Sequence, residues 1–220
     1  MQQKVNVFWF RRDLRLYDNH ALYQALSGKN PVLPIFIFDT EILSKLPKSD
    51  ARVTFIHEKL SEIRSQLQQK ADSSLAIFHG KTLEVYKKLT QEYTIEKVFT
   101  NRDYEPYAQN RDAEIKEYLN KQGIGFETFK DQVVFEKNEV VKDDGNPYMV
   151  YTPYMRRWKE TFKTTNLSNF PSEKTLGNCI KNKQLPWLTL QEIGFTASPI
   201  EVPPFDVSST LIKNYEDTRN

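Results

Sequence analysis

The chain has little of several residues that would place a protein early in a large functional class. A single cysteine, Cys179, occurs among 220 residues, which rules out an internal disulfide framework and fits a reducing compartment, here expected to be the cytoplasm. The three histidines, His20, His57 and His79, are scattered, with neither an H-x-x-x-H spacing nor paired cysteines, so no metal site is expected. Only seven glycines occur. None belongs to a G-x-G-x-x-G or a G-x-x-x-x-G-K-[ST] pattern, so the phosphate cradles of dinucleotide-binding and P-loop proteins are missing. Gly80, in Phe78-His79-Gly80-Lys81, reads as a tight strand-to-helix turn. Charge is balanced: 31 basic against 29 acidic residues leave +2, too little to indicate a nucleic-acid surface unless the charges cluster, so charge is neutral evidence. The early apolar run over 5–10 ends at Arg11 and Arg12, far short of the roughly 20 apolar residues of a membrane span. A soluble, unexported protein with no membrane partner is expected.

The content that is present suits a packed α/β domain. With 39% hydrophobic and 13% aromatic residues, the chain can bury a full core. Short apolar runs over 5–10, 32–38, 75–78, 97–100 and 125–129 read as strands, each but the last followed by a stretch with helical spacing. Asp18 or Asn19 can cap a helix to about Leu26. Asp50 can cap another, on which Val53, Ile56, Leu60, Ile63 and Leu67 share a face. Two more helices are expected after Thr82 and from about Ala108 to Lys121, where Gly123 stops the second. Right-handed crossovers then give a Rossmann-like open five-stranded parallel sheet of order 3-2-1-4-5, with helices on both faces. Beyond it, 133–135 and 139–141 read as a small hairpin. From about Lys163 Ser, Thr, Asn and prolines suppress regular structure, so the expected organisation is an α/β domain over 1–162 and a connecting segment over 163–220. Leu185, Trp187, Leu188 and Phe195 in that segment are apolar enough to require burial. No internal repeat is visible.

In such a sheet the ligand crevice lies at the carboxyl ends of the strands where the strand order reverses, here between strands one and four. Two charged loops flank that point, Arg11 to Arg15 and Asn101 to Pro106, with Asp39 and Arg52 nearby. Taken singly, each is an ordinary loop charge or a salt bridge. Converging above apolar strands and beside Phe10, Phe36 and Tyr104, they suit a flat heteroaromatic ligand with polar edges.

The residues also resemble a known family. The segment FWFRRDLRLYDNHAL (8–22) is very similar to the pattern W-F-R-R-D-L-R-x-x-D-N-x-A-L of DNA photolyases and cryptochromes. The resemblance continues through FDTEIL (38–43), DARVTFI (50–56), TNRDYEPYAQNRD (100–112) and GNPYMVYTPYMRRW (145–158). It implies an α/β domain carrying a light-harvesting antenna chromophore, followed in the family by a helical domain that binds FAD and repairs pyrimidine dimers in DNA by electron transfer. On that reading the chain is the N-terminal part of a light-driven deoxyribodipyrimidine photolyase, a carbon-carbon lyase that meets damaged DNA through the helical domain. This part alone is expected to be monomeric and inactive, and to bind little nucleic acid directly. A cryptochrome photoreceptor without repair activity is the alternative, and a stand-alone nucleotide-binding α/β module is a third reading.

The resemblance also assigns residues. Asp103, Glu105 and Arg52 match positions that contact a deazaflavin in relatives with the loop D-x-E-P-Y, while Arg11, Phe36 and Asp39 are weaker candidates at the same crevice. Ala108 stands where folate-binding relatives carry a glutamate, which favours a flavin or deazaflavin over methenyl folate. Tyr215, in NYEDTRN, matches a tyrosine that contacts FAD. The aromatic and basic run Tyr154, Arg156, Arg157 and Trp158 is read as structural rather than as a DNA surface.

Overall fold

The computed structural model describes residues 4–200 together with Lys213 and Tyr215. Five strands, β1 (Lys4–Phe10), β2 (Val32–Asp39), β3 (Ala76–Gly80), β4 (Thr94–Asn101) and β5 (Gly125–Phe129), form one sheet. Every pairing is parallel and the order is β3-β2-β1-β4-β5, as the alternation of apolar runs and helical stretches implies. β2 is buried along its whole length, which is what a strand covered on both faces requires. Pro34 within it has no N–H to give to a ladder. Val32 turns its carbonyl to the side where it accepts from the Ile180 N–H at 2.8 Å, and Pro34, two residues on, faces that side ahead of the first β2–β3 pair at Ile35 and Ala76.

Alternating side chains of β1 and β2 feed two different cores. Phe8, Phe10, Phe36 and Phe38 pack with Leu22 and Leu26 of α1 (His20–Leu26) and with Leu60, Ile63 and Leu67 of the long helix Ala51–Ala71. Val7, Trp9, Leu33 and Ile35 pack on the opposite face with Val85, Tyr86 and Leu89 of Thr82–Glu92 and with Ile115 and Leu119 of Pro106–Lys121. Counting the short helix Thr40–Leu43 as α2, these three helices are α3, α4 and α5 in chain order. The expected caps hold where a side chain is available. Asn19 accepts from the Leu22 N–H, and Asp50 accepts from the Arg52 N–H. Asp18, the other candidate cap, instead takes a positive φ of 44° and accepts from the Phe170 N–H at 3.0 Å.

One local expectation fails, and one helix is unexpected. The hairpin over 133–135 and 139–141 does not form; those residues make irregular turns. Within them Glu136 turns back to Arg102, both carboxylate oxygens accepting at 2.6 Å, and Glu139 pairs with Lys130 at 2.8 Å. The run Tyr151–Thr164, for which no element is expected, is a helix, α6, with no buried residue.

The segment after α6 returns to the sheet domain. The Ile77 N–H donates to the Pro186 carbonyl at 2.8 Å, extending hydrogen bonding beyond the edge strand β3. Leu185 and Phe195 are buried, Trp187 lies under the Arg64 guanidinium at 4.6 Å, and Leu188 packs on the core. Cys179 is enclosed beside Val32, and burial pushes its thiol up to about 12.

Candidate functional site

A crevice of about 430 Å³ opens at the carboxyl end of the sheet. Its floor and inner wall are Trp9, Phe10, Phe36 and Phe38 from β1 and β2; Ile42, Leu43 and Leu46 close one side, and Val53 and Ile56 of α3 another. The rim is polar: Arg12, Arg52, Asp103 and Glu105. Strand order alone places this crevice between β1 and β4, but the structure centres it over β1 and β2. The gap between β1 and β4 is already filled.

What fills it is a buried amide and carboxylate network built from the FRRDLRLYDN run. Asn101, at the end of β4, donates to Asp13 and, at 2.8 Å, to Asn19 Oδ1, while its own Oδ1 accepts from the Ala21 N–H at 2.9 Å. Asp13 also accepts from the Arg11 N–H at 2.9 Å and from Asn19 Nδ2 at 3.2 Å. Ser172, from the returning segment, accepts from the Asn19 N–H at 3.2 Å and donates to the Leu16 carbonyl at 2.7 Å. Asp13, Asn19, Asn101 and Ser172 are all buried, so each bond replaces one that water would otherwise supply. Most of the longest sequence signature therefore fastens the first loop to β4 and to the tail.

All six residues expected to hold an antenna line the crevice: Arg11, Phe36, Asp39, Arg52, Asp103 and Glu105. Their chemistry differs. Arg11 has a side chain only 6% exposed; its Nη1 donates to both oxygens of Asp112 at 2.8 and 2.7 Å, and its Nη2 to the Asn101 carbonyl. Asp39 is likewise committed. One oxygen caps α2 through the Glu41 N–H at 3.0 Å, and the other accepts from Thr82 Oγ1 at 2.9 Å and the Tyr107 hydroxyl at 2.6 Å. These two residues hold the walls in place.

Arg12, Asp103, Glu105 and Arg52 keep capacity for a ligand. Arg12 spans the two carboxylates, 3.4 Å from Asp103 and 3.8 Å from Glu105, with its own side chain 58% exposed. Arg52 folds back on Asp50 at 2.7 Å, and this side-chain bond holds the Asp50 carboxyl below its usual range. Ala108 is buried in the same wall. Tyr215 does not line the crevice and is exposed.

Sequence reasoning passes over Tyr107 and Arg111, which also line the crevice. Their signal was the i, i+4 spacing that puts both on one face of α5 at its first turns, next to the expected switch point. Burial first, and then the hydrogen bond to Asp39, raises the Tyr107 hydroxyl above its ordinary value, so it stays a neutral donor. Across α5, a second cavity of about 420 Å³ is lined by Arg102, Tyr104, Lys116, Phe126, Thr128 and Glu136 among others, but there Arg102 is held by Glu136. Among the described residues no cluster of metal-ligating side chains occurs, and no helix is long and apolar enough to cross a membrane.

A parallel sheet of order 3-2-1-4-5 with an aromatic-floored crevice at its carboxyl end defines a ligand-binding α/β domain. The chain belongs to the DNA photolyase family, whose model matches residues 6–174. It is 31% identical over 196 residues to the deoxyribodipyrimidine photo-lyase of a Synechococcus strain, covering 86% of this chain and 40% of that relative. The solved class III photolyase of Agrobacterium tumefaciens superposes with a TM-score of 0.66 at 25% identity, over 99% of this chain and 42% of that one. A Synechocystis cryptochrome shares the fold, with a TM-score of 0.77 at 15% identity over 100% of this chain and 49% of that one. The chain thus spans about 40% of the length of the Synechococcus relative.

Proposed function

We propose that this chain is the antenna-binding part of a light-driven deoxyribodipyrimidine photolyase, a carbon-carbon lyase, and that its crevice takes a flavin or deazaflavin. The crevice carries the reading. Its volume of about 430 Å³ lies within the roughly 300–1,000 Å³ usual for small-molecule sites. Phenylalanine faces suit a flat ring system, the Asp103 and Glu105 carboxylates can accept from ring N–H and chain hydroxyl groups, and Arg52 can cover a ring edge. Ala108 offers no group to hold the amines of a folate. When bound, the chromophore absorbs light and passes the excitation on; the residues here bind it, orient it and keep water from its faces.

FAD and damaged DNA are assigned to sequence beyond the α/β domain, with 163–220 as the connecting segment and Tyr215 as a contact for FAD. The 220-residue chain alone is then a monomer, located in the cytoplasm, without stoichiometric FAD or photorepair activity, and with little affinity for DNA. A cryptochrome with the same antenna domain is the second reading, supported by the shared fold.

Titration of the chain with FMN, a deazaflavin and methenyl folate, followed by absorbance and fluorescence, tests the proposal. Preferential binding of a flavin or deazaflavin, weakened by Asp103→Ala and Glu105→Ala, is expected. Preferential folate binding, or flavin binding indifferent to both substitutions, would reject it.

A further inference from the structure

Trp9 stands at the inner wall of the crevice, only 2% exposed, and binding of a chromophore by itself gives it no particular role. The guanidinium carbon of Arg11 lies 5.0 Å from the centroid of its ring, and that of Arg111 lies 4.7 Å away. Both arginines are nearly enclosed, their side chains 6% and 10% exposed. A single carboxylate serves the two: Asp112 pairs with Arg11 at 2.7 Å and with Arg111 at 3.1 Å. Two cations and one anion leave net positive charge beside the indole. One guanidinium would satisfy the ring as a cation–π partner. A second brings like charges together where water does not screen them, a cost that packing alone does not explain.

We propose that Arg11 and Arg111 guard the excited chromophore by making Trp9 too hard to oxidise to quench it. The inference rests on the antenna reading above and concerns the same crevice. Quenching would move one electron from the Trp9 indole to the excited ring system, leaving an indole radical cation and a chromophore radical anion. Return of that electron restores both partners, and the excitation is lost as heat. The first step creates new positive charge within about 5 Å of two guanidinium groups, which makes the indole harder to oxidise than one in neutral surroundings; both groups also line the crevice and favour the anion, so the guard requires that they act more strongly on the indole, over whose ring both lie. An antenna that must hand its energy elsewhere needs an excited state that survives contact with an aromatic wall, and the paired arginines supply that protection.

The test compares excited-state lifetimes of bound FMN, and of a deazaflavin in a parallel series, at saturating protein so that differences in affinity drop out. In Arg111→Met the lifetime is expected to shorten at least about twofold, because a charge close to the ring is lost. Arg111→Lys, which keeps the charge, leaves it unchanged, and adding Trp9→Phe to Arg111→Met restores it. Trp9→Phe in the otherwise unmodified chain has no effect, since a guarded indole does not quench. If Trp9→Phe alone lengthens the lifetime, the indole quenches despite the arginines and the proposal fails, even where Arg111→Met does not fold. An unchanged lifetime in Arg111→Met, or recovery with Tyr107→Phe but not with Trp9→Phe, also rejects it. Absence of binding of either chromophore removes the antenna reading and the guard together, whereas binding with the wrong pattern of lifetimes removes the guard alone.

Discussion

Below the crevice Asp13, Asn19 and Asn101 share one buried network, whereas at its rim Arg12, Asp103 and Glu105 meet only at 3.4 to 3.8 Å. The boundary between the two regions runs between adjacent residues. Arg11 has a side chain 6% exposed and bonded to Asp112 and Asn101, while Arg12 is 58% exposed and loosely paired. Identical side chains in one motif thus serve different ends. A side chain tied into the protein by several close bonds builds the site, and one only loosely paired at the rim is free to bind.

The largest expected effect separates the regions by stability. Asp13→Ala leaves one N–H of the buried Asn101 amide and the Arg11 N–H without their acceptor, and is expected to cost about 3 kcal/mol or more in urea unfolding. Arg12→Ala should change stability by less than about 0.5 kcal/mol. Equal losses from the two would erase the distinction.

The tail belongs with the buried region through Ser172 and Leu185. Leu185→Ala, which opens a hole beside the sheet, should cost about 2–3 kcal/mol. Limited proteolysis should then cut within 183–195 first. A tail that stays as protected as in the unmodified chain would show that this contact does not anchor it.

At the rim the prediction inverts. The double substitution Asp103→Ala and Glu105→Ala should weaken flavin or deazaflavin binding about tenfold or more, by loss of charge-assisted bonds of about 1.5–3 kcal/mol. The unfolding midpoint should hardly move. A large loss of stability would transfer these carboxylates to the structural group.

The smallest effect is a pH dependence. His20 stacks on Phe170 at 3.6 Å and hydrogen-bonds the Lys130 carbonyl, and burial lowers it from its ordinary value of 6.5. The unfolded chain therefore takes up the proton first as pH falls. Stability is at its full value above about pH 6.5 and declines as pH drops from there towards the lowered folded-state value. Burial lowers His79 in the same direction. Urea midpoints at pH 7.5 and 5.5 check this, and His20→Gln should flatten the difference.

The fold was legible because its signals are local. Five apolar runs with β-branched and aromatic residues, separated by capped helical stretches, leave few ways to order a parallel sheet, and Asn19 and Asp50 cap as their side chains allow. The crevice was legible in part: the six candidate residues do converge on it. Their roles were hidden because saturation depends on distant partners. Asp39 is taken by Thr82, 43 residues away, and Arg11 by Asp112, 101 residues away. In place of the hairpin, Glu136 pairs with Arg102, 34 residues away, a contact that no local turn signal shows. α6 is marked only weakly: none of its residues is buried, and Met155, Trp158 and Thr161, three apart on one face, are half-buried.

The claim that matters most is where the chromophore sits. Backbone amide shifts of isotope-labelled protein, followed as FMN or a deazaflavin is added, would locate it directly. The account predicts the largest changes at Arg52, Asp103, Glu105 and Ala108. Changes centred on Lys116, Phe126 and Thr128 around the second cavity, with the crevice residues unmoved, would contradict it.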